Sequence, residues 1–93
     1  MAYFILDKIC SNACALYYAK DSFENAVKLA GYISRNARRA TYVLTTEQVK
    51  DIFFPGQSME DRNKYWKENY KDDRRYGQYI CLPLPSNFKK HLK

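Results

Sequence analysis

Arg35, Arg38 and Arg39 stand in "SRNARRATYVLTTEQ", three guanidinium groups just ahead of an aromatic, β-branched run that contains Tyr42. A planar guanidinium fork beside a tyrosine ring is equipped to hold phosphate oxygens in bidentate fashion. Arginine at all three positions suits that task better than lysine would. The same residues also meet a plainer requirement, because cations near a helix C-terminus gain about 0.3–1 kcal/mol from the macrodipole. The plainer account is sufficient, and the phosphate grip stays open beside it.

Other chemistry finds fewer footholds. The single histidine, His91, lies among lysines near the end of the sequence, where a general base would lack a held geometry and a tuned pKa. No nucleophile elbow, phosphate-cradling loop or zinc-protease helix occurs, and Gly31, Gly56 and Gly77 are scattered. No carboxylate pair sits in an apolar setting that would raise a pKa for acid–base work. Cys10, Cys14 and Cys81 with His91 would make a Cys₃His zinc set, yet the gap between the first two is unusual and no second close pair exists. Cysteines in strands are more simply small buried hydrophobes. No catalytic residue, metal or cofactor is expected.

A second cationic group, Lys64, Lys67, Lys71, Arg74 and Arg75, falls along a helical segment with Glu60, Asp61, Glu68, Asp72 and Asp73 interleaved. Glu60–Lys64 and Lys64–Glu68 have the i,i+4 spacing that adds about 0.2–0.5 kcal/mol per pair to a surface helix. This face is balanced and reads as solvated. Met59, Trp66 and Tyr70 would form its apolar edge, which is either core packing or an interface anchor. The candidate binding set for a protein or a nucleic acid is therefore Arg35, Arg38, Arg39, Tyr42, Trp66, Tyr70, Arg74, Arg75, Lys89 and Lys90.

These residues need elements to position them. "YFILDKI" and "CALYYA" read as two strands joined at Ser11 and Asn12. Tyr3, Ile5 and Ile9 share one face of the first strand, interrupted by Asp7, and Phe4 and Leu6 share the other. A helix follows, with Asp21 and Glu24 at capping-box spacing and Phe23, Ala26, Val27, Ala30 and Ile33 as its apolar stripe. Gly31 within it suggests a close approach to a neighbour. "TYVL" is a short strand, and Thr45 with Gln48 is the capping box of a second helix that stops at "FFPG". Ser58 starts a third helix expected to run to Tyr76, with Gly77 beyond it.

"YICLPLP" is the last strand. Pro83 and Pro85 lie two apart, so both missing donors fall on one side, which only an outward-facing edge tolerates. Residues 86–93 form a basic tail, either a short helix or frayed. The expected fold is a single α+β domain over residues 1–93, in the order β-β-α-β-α-α-β. Its three- to four-stranded, largely antiparallel sheet would carry helices on one face.

At 93 residues, 46% hydrophobic and 16% aromatic, with nine tyrosines, the chain can bury one modest core. Tyrosine suits half-buried sheet faces and interfaces. The net charge of +6 favours acidic partners without choosing among them. The apolar run at "MAYFILDKIC" is broken by Asp7 and too short to cross a bilayer, which takes roughly 20 apolar residues. An odd number of cysteines without a leader points to reduced thiols in a cytoplasmic, non-membrane protein.

In size, basic charge and α+β build, and in Arg35, Arg38, Arg39 and Tyr42, the chain resembles small ribonuclease toxins of the RelE kind. That resemblance implies RNA cleavage by those residues, although such toxins place their helices ahead of most of the sheet. In its short, Tyr-rich, basic build without a catalytic motif, the chain also resembles small phage and mobile-element proteins. Those inhibit a host enzyme or defence complex by occupying a surface, which would place this protein in the host cytoplasm. The reading favoured is a non-enzymatic binding protein of this inhibitor type with a protein partner. A basic nucleic-acid-binding module using Arg35, Arg38, Arg39 and the terminal lysines is the alternative. The edge at residues 79–84 and the surplus of tyrosine suggest a homodimer.

Overall fold

A computed structural model describes residues 2–54, 56, 58–69 and 76–92, with backbone alone for 65–69. The elements are β1 (Tyr3–Cys10), β2 (Ala13–Tyr18), α1 (Phe23–Ala37), β3 (Thr41–Thr45), α2 (Thr46–Phe53), α3 (Met59–Asn69) and β4 (Tyr79–Pro83). A 3₁₀ turn over Phe88–His91 follows. This is the expected α+β order, on a four-stranded antiparallel sheet arranged β3-β1-β2-β4. The third helix expected to run to Tyr76 is described as far as Asn69; residues 70–75 lie outside the described ones, and Tyr76 itself stands in a turn.

The β1–β2 hairpin turns on Ser11 and Asn12, with an irregularity between Lys8 and Cys10. An extra residue of this kind raises local twist, which lets a tight connection close without glycine. The chain then alternates sides residue by residue. Phe4 and Leu6 of β1, Cys14 and Leu16 of β2 and Leu44 of β3 face Val49 and Ile52 of α2, together with Leu84 and Phe88. Ile5 of β1, with Ala19, faces Ala26, Ala30 and Ile33 of α1.

Helices therefore cover both faces of the sheet, which corrects the one-face expectation. The physical reason lies in β1, where both alternating sets of residues are apolar. A strand that is apolar on both sides is a central one needing cover above and below. The small side chains of Ala26 and Ala30 let α1 sit close to the strands. Gly31 plays no such part: a Cβ there would meet only the end of the Arg35 side chain, at an ordinary 3.7 Å.

Local signals set the helix ends. The α1 cap is Ser22, whose Oγ accepts from the Asn25 N–H at 3.2 Å, and not the Asp21 expected from spacing. Thr45 and Gln48 make the full capping box of α2, with the Gln48 N–H donating to Thr45 Oγ1 and the Thr45 N–H donating to Gln48 Oε1. Ser58 Oγ accepts from the Asp61 N–H at the start of α3. Arg62 Nη2 reaches Asp51 Oδ1 at 2.7 Å and Lys50 Nζ reaches Asn63 at 3.0 Å, tying α3 to α2.

β4 is an edge strand, as its prolines require. Tyr18 N–H donates to the Gln78 carbonyl and Leu84 N–H to the Asn12 carbonyl, so the even-numbered positions turn their backbone groups inward to β2. Pro83 and Pro85 thus have their donor-less nitrogens on the outer side. The tail resolves into the short-helix alternative. Phe88 is 3% exposed and meets Tyr42 edge to face at 5.5 Å, while Gln48 Nε2 donates to the His91 carbonyl at 2.9 Å.

Candidate binding surface

α1 lies across β1 and β3, and among the described residues it leaves the β2–β4 half of its face of the sheet less covered. A groove of about 380 Å³ opens there, with Leu29, Tyr32 and Ile33 on the helix wall and Asp7, Tyr17 and Arg39 on the floor. Tyr79 of β4 extends the floor outward, its ring 4.9 Å from that of Tyr17 at a tilt of 36°. Tyr76, next to Gly77 in the lining, donates its hydroxyl to the Asn25 carbonyl near the start of α1 at 3.1 Å.

The floor is built on an ion pair. Asp7, at the apolar centre of β1, is 1% exposed, and Arg39 grips it in bidentate fashion, Nε to Oδ1 at 3.0 Å and Nη2 to Oδ2 at 2.8 Å. The Arg39 side chain is 38% exposed, so the pair is closed at the carboxylate and open to the groove at the guanidinium. Two local features bring Arg39 there. Arg38 ends α1 in the left-handed region at φ 55° with its N–H on the Ser34 carbonyl, and Ser34 Oγ then donates to the Arg39 carbonyl at 2.8 Å. The resulting bend turns Arg39 under the sheet.

Electrostatics in the groove favour holding protons. Burial first, and then the neighbouring Asp7 charge, push the Tyr17 hydroxyl above its ordinary range, with Arg39 opposing. The hydrogen bond to Asp7 holds the Arg39 guanidinium still more firmly protonated. The protonated Tyr17 hydroxyl can donate a hydrogen bond into the groove, and both Asp7 carboxylate oxygens are taken by Arg39. This arrangement can bind and orient an apolar group with polar neighbours.

The structure separates most of the expected site residues. Arg39 is engaged with Asp7. Arg35 is exposed on α1 and Arg38 at the cap. Tyr42 lies on the opposite face of the sheet, against Phe88, so the three arginines and Tyr42 do not form one phosphate grip. Lys89 and Lys90 are exposed on the terminal turn, on that same opposite face, where Lys8 Nζ sits 5.9 Å over the Phe88 ring. Trp66 is on α3, with its side chain outside the described residues, as are Tyr70, Arg74 and Arg75.

Sequence reasoning passed over Asp7, Tyr17, Leu29 and Tyr32. One signal for them was available: an acid at the middle of a doubly apolar strand needs a buried cation. Cys10 and Cys81 are exposed and Cys14 is buried, all as free thiols, and among the described residues no three of His, Cys, Asp and Glu cluster as metal ligands. Comparison of the chain with protein-family profiles, curated proteins and solved structures finds no match.

Proposed function

We propose that the protein is a small non-enzymatic binding protein whose partner is another protein, held at the groove beside α1. The observation that carries this is the placing of Tyr17, Tyr32 and Leu29 around the open side of a half-exposed arginine held by the buried Asp7. Tyrosine gives large, rigid contact area with a polar tip, and an arginine already fixed by a carboxylate loses little freedom when it meets a further acceptor. Such aromatic and arginine groups are the usual anchors of protein interfaces. Tyr32 is 60% exposed, a large aromatic in water at the rim of an apolar groove.

A surface inhibitor of a host or defence protein is a role that needs no more than this. Three free thiols favour a reducing compartment such as the cytoplasm, and among the described residues no helix is long and apolar enough to cross a membrane. The nucleic-acid reading draws less support, because Arg39 is committed to Asp7 and Tyr42 faces the other way. RNA cleavage by Arg35, Arg38, Arg39 and Tyr42 draws less support for the same reason, since Tyr42 packs against Phe88 on the face opposite Arg39.

The test is a pull-down from cell extract with and without nuclease, using the native chain and Tyr32→Ala. A protein partner survives nuclease, and Tyr32→Ala weakens its binding about tenfold while the thermal midpoint stays put. Capture that disappears with nuclease would overturn the reading in favour of nucleic acid. Capture indifferent to Tyr32→Ala would remove the groove from it.

A further inference from the structure

The phase of β4 leaves a particular set of backbone groups open. Because the even positions face β2, the N–H groups of Tyr79 and Cys81 and the carbonyls of Tyr79, Cys81 and Pro83 point away from the sheet. Among the described residues no strand lies on that side. Pro83 and Pro85 contribute no donors there. An added strand must therefore accept from Tyr79 and Cys81 and ask nothing of the prolines.

We propose that a second copy of this chain adds to this edge as an antiparallel strand, with the two-fold axis at Cys81. In that register Cys81 faces Cys81 and the two exchange both N–H···O=C bonds. Tyr79 N–H donates to the Pro83 carbonyl of the second copy, and the symmetric bond completes the set. Every open donor on the edge is used, and the donor-less proline is asked only to accept. The two sheets join into one of eight strands.

Side chains fit the same register. On the α2 face, Ile80 and Leu82 are only half-buried at the margin of the main core. The two-fold at Cys81 sets Ile80 against Leu82 of the second copy, at a non-hydrogen-bonded pair where side chains approach most closely. On the α1 face, exposed Tyr79 meets exposed Pro83. A two-fold moved to Ile80 would instead place Leu82 against Gln78 and Cys81 against Tyr79, apolar against polar. Self-association of a chain carrying +6 also needs a seam without charge, and residues 79–85, "YICLPLP", contain none.

The inference does not depend on the groove binding anything. It has a chemical signature, because the Cα atoms of a hydrogen-bonded antiparallel pair are about 5.5 Å apart, placing the two Cys81 thiols side by side. A short bismaleimide, adding one thiol to each of its rings, should link two full-length chains. The link should be lost in Cys81→Ser and kept in Cys10→Ser, the other exposed thiol. Light scattering at micromolar concentration should give twice the chain mass. Cys81→Arg, which sets like charges face to face at an exposed position, should give the single-chain mass with the far-ultraviolet circular dichroism unchanged. A single-chain mass for the native protein at hundreds of micromolar would overturn the inference. So would a cross-link that survives Cys81→Ser.

Discussion

The two faces of the sheet are built on different terms. On the α2 face, Phe4, Leu6, Leu16 and Leu44 meet Val49, Ile52, Leu84 and Phe88, large side chains drawn from strands, helix and terminal turn together. On the α1 face, Ile5 and Ala19 meet Ala26, Ala30 and Ile33, and the same face holds an ion pair buried at its carboxylate end and an open aromatic floor. The first face is a closed core whose stability comes from buried apolar area. The second is a thin layer whose small alanines bring α1 near while its polar pair fixes where the helix ends. Stability and surface chemistry have been divided between opposite sides of one four-stranded sheet.

The sharpest way to break that division is Arg39→Met. Asp7 would keep its buried position without a partner, at a cost of about 3 kcal/mol in urea unfolding, near the lower end for a broken buried pair because the guanidinium is partly solvated. Adding Asp7→Leu should restore most of the loss. A cost under about 1 kcal/mol for Arg39→Met would mean that the pair does not hold the α1 face together.

An effect somewhat smaller belongs to the closed core. Burial first, then the nearby Cys81 and Asp7, push the Cys14 thiol up to about 11 from 9.0. The folded protein keeps this proton longer than the unfolded chain does, so the associated stability is complete below pH 9 and is lost as pH rises to 11. That amounts to about 2–3 kcal/mol. Comparing urea midpoints of the native chain and Cys14→Ala across that range isolates the contribution, since Cys14→Ala should show a correspondingly flatter decline. Parallel declines would mean that the thiol is not sealed from water.

The smallest of the three effects tests the thinness of the α1 layer. Ala26 is fully buried against Ile5 and Ala19, so Ala26→Leu should overpack the site and cost about 1–3 kcal/mol by thermal melting. A neutral result would show that α1 can lift from the sheet, and the comparison of the faces would need redrawing.

Much of this architecture was legible in the residues. Thr45 and Gln48 announce α2 because a capping box is a local, reciprocal pair of hydrogen bonds that needs nothing from elsewhere in the chain. Pro83 and Pro85 place β4 at an edge for an equally local reason, the missing donors. The α1 cap was misplaced by one residue because Asp21 and Ser22 are both capable acceptors, and only the path out of Lys20, itself at φ 56°, decides between them. The two-faced sheet was written in the double apolarity of β1 and read as one-faced.

The site was less legible, because its members come from distant parts of the chain. Arg39 looked like one of three equivalent cations, and only the bend at Arg38 singles it out. Tyr17 and Tyr32 are two tyrosines among nine, and nothing in their immediate neighbours tells that α1 will lie over β1 and β3 and not over Tyr17.

Pro83 at the end of β4 and Pro85 just beyond it have a bearing on the fate of the protein at high concentration. A chain this rich in aromatics, ending its sheet in an apolar ribbon, has the makings of a seed for endless stacking. Pro83 and Pro85 cut the ribbon's outward ladder to a length of two donors, too short to template long in-register growth and open in only one phase. Replacing both with donor-bearing residues would turn a guarded margin into a polymerising one.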